Sequence, residues 1–324
     1  MFVSVAILRR MPKGLDRLDY RLPENLVLTP GQMVHVPFRK TLIPAMVLSL
    51  SPTTKLPEAK IKNIENLINP EPFLSESQLK FLEEIAEMYQ TPLGFLLKTN
   101  LPPWKKRKIT GLHLEKIAPH NNKTNSKPTL VITADEQDKI QKTLDCLDQK
   151  KNNLILVPTI DRVATWNEYL QTAGIEHTIV TGEKTEKEMF TLWEKIRNQK
   201  NGVVIGTRRA LFLPWFNLGN ILLEDDGDEN HKSWDMAPRF HNRDACMILS
   251  AQHHAKFYSI STSPSPDTYY FAKHNTFNLE GTLNTLPLPQ LINLKDERRK
   301  GNYSVWSEEL KETLVSGHGD IFLF

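Results

Sequence analysis

Cysteine is nearly absent. The two in 324 residues, Cys146 and Cys246, lie far apart without a C-x-x-C partner. They cannot by themselves build a zinc site or a disulfide framework, and both read as small buried hydrophobes. No run approaches the roughly 18 uncharged apolar residues that a membrane span needs, so membrane partners are not expected. The opening MFVSVAILRRMPKG places its charges after a short apolar stretch, unlike a secretory leader, and the expected location is cytoplasmic. No G-x-x-x-x-G-K-[ST] occurs, which removes the loop whose backbone N–H groups cradle phosphates. No G-x-S-x-G elbow supports a hydrolytic triad, and no internal repeat is found.

What is present is ordinary globular composition, 40% hydrophobic and 24% charged, long enough for two or three domains. The net charge of +3 conceals an asymmetry. Residues 1–108 hold 16 Lys+Arg against 10 Asp+Glu, and the remainder holds 25 against 28. A basic module joined to a mildly acidic one points to a polyanion partner for the first.

Residues 1–50 read as short strands punctuated by Pro23, Pro30-Gly31 and Pro44. Ser75 precedes a helical pattern with apolar positions at Leu79, Leu82, Ile85 and Met88, and a short helix follows from Pro92. Residues 104–128 read as a linker. From Thr129 the pattern changes: TLVIT, NLILVP, HTIVT, GVVIGT, NILLED and KFYSIS alternate with helical stretches at 135–148, 162–172, 186–197 and 241–252. Apolar strands alternating with amphipathic helices predict a parallel wound sheet with ligands at the strands' carboxyl ends. Asp320–Phe324 reads as a strand in which the chain stops, as in a truncated product.

Five ordered segments of this second half resemble the first motor lobe of the PriA family of replication-restart helicases (primosomal protein N′). Leu156-Val157-Pro158-Thr159-Ile160 is similar to LVPEI, and Val204 to Phe212 with Asn217-Leu218-Gly219 is similar to VVGTRSALF…NLG. Ile221 to Gly227 stands at IIVDEEH, Pro238 to Asp244 at PRYHARD, and Ser261 to Ser265 at SATPS, with Tyr269-Tyr270 following. The first half resembles the same family's 3′-end DNA-binding domain. Leu18-Asp19-Tyr20-Arg21-Leu22-Pro23 is similar to FDYRVP and Pro30 to Phe38 to PGxRVRVPF, while Tyr89, Pro92, Gly94 and Leu101-Pro102 repeat its closing pattern.

The resemblance implies an α/β protein: a small β-rich N-terminal DNA-binding domain over 1–104, a basic and polar linker over 105–128, a degenerate RecA-like first lobe over 129–300, and the start of an incomplete second lobe over 301–324. It implies Asp19, Tyr20 and Lys62 at the DNA 3′ end, where a carboxylate can accept from a free 3′-OH and an ammonium can meet a phosphate; Asp19 capping a turn and Lys62 solvated is the structural alternative. It implies backbone or stacking contacts by Thr207, Arg208, Trp234, Arg239 and Phe240, the two aromatics being equally suited to packing. Trp104 with Lys105, Lys106, Arg107 and Lys108 joins an aromatic to four cations, a combination suited to phosphates and a stacked base or to a solubilising linker.

The chain departs from the family at its phosphate loop, where Val131 to Glu136 stands and Asp135 and Glu136 replace Lys and Thr. Carboxylates there repel a triphosphate but suit a helix N-terminus. Intact members use ATP and magnesium, and the zinc insertion lies outside this sequence, so no cofactor is expected and no catalytic residue is named. Glu224, Asp225 and Asp226 are read as the remnant of the acidic box, with Gly227 in place of His and Asp228, Glu229 and His231 nearby; a solvated acidic loop is the expected state. The function expected is DNA binding at forks or 3′ ends in replication restart, in company with other primosomal proteins and without autonomous ATPase. Two alternatives stand beside it: an ATP-dependent 3′-to-5′ helicase working through an unusual nucleotide site or a separately encoded second half, and a decaying gene product.

Overall fold

The computed structural model describes residues 1–12, 15–102, 112–116, 126–182, 185–234, 237–283 and 291–316. Met1–Leu283 form one compact unit, and the residues from Asn284 onward a second.

The chain opens with five strands: β1 (Phe2–Ile7), β2 (Arg17–Arg21), β3 (Met33–Phe38), β4 (Thr41–Ser51) and β5 (Asn66–Leu67), ordered β2-β1-β4-β3-β5 with antiparallel pairings. The segment leading into β5 returns to the far edge: Arg21 N donates to Lys62 O at 2.9 Å and Ile64 N to Arg21 O at 3.1 Å, which closes the sheet on itself. Alternation along the strands decides which side chains go where. Val3, Val5, Ile7, Tyr20, Val34, Val36, Ala45 and Val47 fill the interior of the closed sheet. The intervening Ala6, Leu8, Met33, Met46 and Leu48 pack outward against α1 (Glu76–Met88) and α2 (Leu93–Asn100).

Helix α1 begins where predicted, with the Ser75 hydroxyl accepting from Gln78 N, a cap that satisfies one of the helix's unpaired first-turn donors. Two glycines answer steric demands. Gly31 has φ +86° and a Cβ there would lie 1.9 Å from Leu74 O; a Cβ on Gly94 would lie 1.9 Å from Ile7 O, where α2 crosses β1.

The second half is a seven-stranded parallel sheet ordered β12-β6-β11-β10-β7-β9-β8. Its strands are β6 (Thr129–Ile132), β7 (Asn152–Leu156), β8 (His177–Val180), β9 (Gly202–Gly206), β10 (Leu218–Glu224), β11 (Lys256–Ser261) and β12 (Asn278–Glu280). The helices between them are α3 (Glu136–Asp145), α4 (Ile160–Thr172), α5 (Glu186–Asn198), α6 (Asn242–His253) and α7 (Pro266–Lys273). Central strands are buried on both faces, which is why they read as unbroken apolar runs. Ile155 and Val157 turn to the face covered by Val163, Trp166 and Leu170 of α4, while Leu154 and Leu156 turn to the opposite face with α5 and α6. All six predicted strands form; β12 and α7 lacked a legible period.

The two sheets are joined by buried contacts. Helix α1 packs against α6, where buried His253 pairs through Nε2 with Gln78 Oε1 at 3.0 Å. Gln78 Nε2 donates onward to Leu211 O at 3.4 Å, and Ser75 Oγ to Trp215 O at 2.8 Å. Arg197 of α5 is fully buried and donates to Pro72 O at 2.7 and 3.0 Å and to Glu115 O at 3.2 Å, its guanidinium 3.8 Å from the Phe216 ring centre. Burial pushes its pKa down to about 10, which leaves it charged at neutral pH. Through this arginine part of the expected linker becomes a strap: Leu112 and Leu114 are buried, and His113 N and Glu115 N donate to Glu194 and Asn198 of α5.

The second unit contains α8 (Leu294–Arg299) and α9 (Glu308–Ser316). They are tied by Glu297, whose Oε2 accepts from Asn302 Nδ2 at 2.6 Å and from Glu308 N at 3.0 Å. The strand expected at Asp320–Phe324 lies outside the described residues.

Candidate nucleic-acid interface and the phosphate-loop position

Parallel sheets present their ligand sites at the carboxyl ends of the strands, and there the acidic box of β10 meets the β6–α3 turn. Only Thr133, Ala134 and Asp135 separate β6 from α3, too few for a phosphate-cradling loop. The helix end is also occupied. Asp135 is the N-cap and accepts from Asp138 N at 2.9 Å, while Asp138 Oδ2 accepts from Ala134 N at 2.9 Å. The donors that a phosphate loop aims at an anion here point at the chain's own carboxylates.

The acidic box is not a solvated loop, contrary to expectation. Glu224 is 3% and Asp226 1% exposed, and Asp225 sits in the left-handed region at φ +45°. Two cations that sequence reading overlooked hold the first two carboxylates. Lys139, 3% exposed on α3, places Nζ 2.6 Å from Asp225 Oδ2, 2.9 Å from Glu136 Oε2 and 3.4 Å from Glu224 Oε1. Arg162, in the first turn of α4, pairs with Glu136 Oε1 at 2.6 Å and engages Glu224 in two bonds, one of them Nε–Oε2 at 3.1 Å. Trp166 Nε1 donates to Glu224 Oε1 at 2.9 Å.

Burial alone would lower the Lys139 pKa, but bonds to Asp225 and Glu136 outweigh it and raise it. Burial opposes ionisation of Glu136 too, yet Lys139 and Arg162 bring its pKa below the usual carboxylate value. The Glu224 bonds raise Arg162. Buried charges persist only when paired this way.

Asp226 accepts from the hydroxyls of Ser265 and Thr268, tying β10 to the start of α7. His231 is buried and donates through Nε2 to Glu224 O at 2.7 Å, its Nδ1 accepting from Asn242 Nδ2 at 2.8 Å. Burial lowers its pKa and keeps it neutral. Among the described residues no three His, Cys, Asp or Glu side chains are grouped to hold a metal ion.

In the N-terminal module, β2, residues 61–64 and the β3–β4 turn converge. Half-buried Asp19 accepts from Thr54 Oγ1 at 2.7 Å. Lys62 is exposed, with Nζ 3.5 Å from Arg39 O in that turn. Tyr20 differs from expectation: it is 5% exposed and its hydroxyl donates to Pro37 O at 3.2 Å. The ring faces the sheet interior because it alternates with Asp19, so it forms a wall behind Asp19 and presents no face to a ligand.

Thr207 and Arg208 lie half-buried just past the carboxyl end of β9. Trp234, 67% exposed, and exposed Arg239 lie in the segment that leaves the carboxyl end of β10. Phe240 of the same segment is 4% exposed and stacks edge-on against Phe212 at 5.1 Å and Tyr89 at 6.4 Å. Phe240 is therefore packing between α1 and the lobe, which withdraws it from the set of nucleic-acid contacts. Lys105, Lys106 and Arg107 lie outside the described residues.

Residues 6–102 match the family model of the PriA 3′ DNA-binding domain. Replication restart protein PriA of Rickettsia felis is 27% identical over 326 residues, covering 92% of this chain and 50% of the relative. The Helicobacter pylori J99 protein of that name is 28% identical over 74% of this chain and 40% of its own length, and the Bacillus subtilis one 26% over 53% and 22%. The chain spans about half the length of the Rickettsia relatives it matches. Among solved structures, RecG bound to a three-way DNA junction aligns over 67% of this chain and 25% of that one at 15% identity, with a TM-score of 0.34, too low to equate the two folds.

Proposed function

The chain is a PriA-type protein, and from that premise we propose that it binds DNA at forks or 3′ ends in replication restart without an ATPase cycle of its own. The observation that carries the binding half is the N-terminal module, whose sequence matches a 3′ DNA-binding domain and in which the strand of half-buried Asp19 bonds, through Arg21, to the backbone of exposed Lys62. Asp19 accepts from the terminal 3′-OH and Lys62 meets the adjacent phosphate. Thr207, Arg208, Trp234 and Arg239 continue the contact along the single strand, by phosphate bonds and stacking. Lys105, Lys106 and Arg107, which follow the module in sequence, add charge.

The missing ATPase cycle is supported by the Lys139–Arg162 cluster, which supplies the acidic box with internal cations where the family's site would take a metal nucleotide. The helicase alternative requires that cluster to open; it predicts phosphate release on adding DNA and ATP.

The test is fluorescence-anisotropy binding to a labelled fork with a free leading-strand 3′-OH, compared with a 3′-phosphate end, for the wild type and Asp19→Ala. The proposal expects tighter binding to the free hydroxyl and loss of that preference in the variant. Equal affinity for both ends in the wild type would remove end recognition.

A further inference from the structure

Arg39 is the first of the two residues that form the β3–β4 hairpin turn. Its backbone lies in the left-handed region at φ +54°, a conformation that glycine takes freely and a long side chain does not. Two-residue hairpin turns place their first central residue there, so the Phe38–Thr41 turn itself accounts for the backbone. The side chain is exposed, with its guanidinium carbon 5.7 Å from the centre of the Phe38 ring. Its carbonyl lies 3.5 Å from Lys62 Nζ, and the turn is further tied by Thr41 Oγ1 donating to Phe38 O at 3.3 Å.

Cations outnumber carboxylates around this turn. Arg39 and Lys40 are adjacent and exposed, Lys62 reaches into the same turn, and Lys60 is exposed two residues before it. Among the described residues neither Arg39 nor Lys40 forms a salt bridge, whereas the nearby Glu58 is spent on Arg21 at 3.1 Å. Arginine offers a rigid fork of N–H donors suited to a phosphodiester, and stacking on Phe38 limits the orientations it must lose on binding.

We infer that Arg39, with Lys40 beside it, is a phosphate anchor that grips the DNA backbone next to the strand terminus held by Asp19 and Lys62; this rests on the end-binding reading above. Asp19 reads the terminal hydroxyl, and Arg39 contributes affinity without regard to what the terminus carries. The two roles separate experimentally, because a phosphate contact changes affinity and salt dependence for every DNA alike.

The variant to make is Arg39→Gly in the full chain, since glycine relaxes the turn and removes only the side chain. Forked DNA with a 3′-OH or a 3′-phosphate is titrated by anisotropy from low to high salt, with Asp19→Ala in parallel. One lost phosphate contact weakens both substrates by about fivefold at 0.1 M salt and makes the log–log salt slope shallower by about 0.7 to 0.9. The hydroxyl-to-phosphate preference stays unchanged, and Arg39→Lys retains most of the slope. Affinity and slope equal to the wild type in Arg39→Gly would overturn the inference, as would a loss confined to the hydroxyl end. If Asp19→Ala leaves end preference untouched while Arg39→Gly still flattens the salt slope, end recognition fails and the phosphate anchor stands.

Discussion

Replacing Lys139 with methionine removes one charge from a buried ionic cluster while keeping most of the side chain's apolar stem. The ammonium bridges Asp225, Glu136 and Glu224 from a position 3% exposed. Removing one partner of a buried ion pair costs about 3–5 kcal/mol, because the other is left uncompensated. Arg162 still pairs with Glu136 and Glu224, and Asp225 is 33% exposed, so the loss falls at the lower end, about 3 kcal/mol. With a urea dependence of about 3 kcal/mol per molar for a unit of this size, the midpoint falls by about 1 M.

Acidification supplies an internal check. The raised Lys139 pKa contributes stability that is present below its ordinary value and lost only as pH rises through the folded one. The lowered Glu136 pKa contributes stability present above its ordinary value and lost as pH falls through the folded one. Between those limits the wild type keeps the cluster. The variant has surplus negative charge that a proton can cancel, so its deficit narrows as pH falls from 7 towards 5. A midpoint within 0.3 M of the wild type on the scale of that estimated shift, or a deficit that ignores pH, would refute the buried-cluster argument.

Other buried contacts are open to similar tests. Burial holds His253 down to about 3, so stability is present above its ordinary value near 6.5 and lost as pH falls towards 3. The slope reaches about 1.4 kcal/mol per pH unit in that window, and urea melts of His253→Gln should flatten it. Arg197→Met should strand the carbonyls of Pro72 and Glu115 at a cost of about 2 kcal/mol, read as faster proteolysis and amide exchange around Leu112–Lys116. Tyr20→Phe loses the bond to Pro37 O, worth about 1 kcal/mol, and should leave DNA affinity unchanged because the ring faces the interior; a specific loss of 3′-end binding would return Tyr20 to the site.

The parallel sheet was legible because its central strands are buried on both faces and so carry unbroken apolar runs, with helical periods between them. The acidic box was legible as residues but not as an environment. Lys139 and Arg162 lie 85 and 62 positions from Glu224 in sequence, and each sits in a helix where a charged residue ordinarily faces water. One signal was available: Lys139 adjoins Ile140, which marks the inward face of α3. Tyr20 was misplaced because a motif names a residue without telling which side of the strand it takes, and the same silence left packing and DNA contact equally open for Phe240. Leu112 and Leu114 alternate within a polar stretch, a strap signal that becomes readable only beside Arg197. Short elements such as β12 left no period to read.

The measurement that bears most directly on the central claim follows phosphate release by the purified full chain with ATP and magnesium, with and without saturating forked DNA, while anisotropy records the DNA affinity in the same samples. The expected result is fork binding that ATP leaves unchanged and phosphate release at the no-enzyme rate. DNA-stimulated phosphate release, abolished by Glu224→Gln, would contradict it and mean that the Lys139–Arg162 cluster opens to admit a nucleotide.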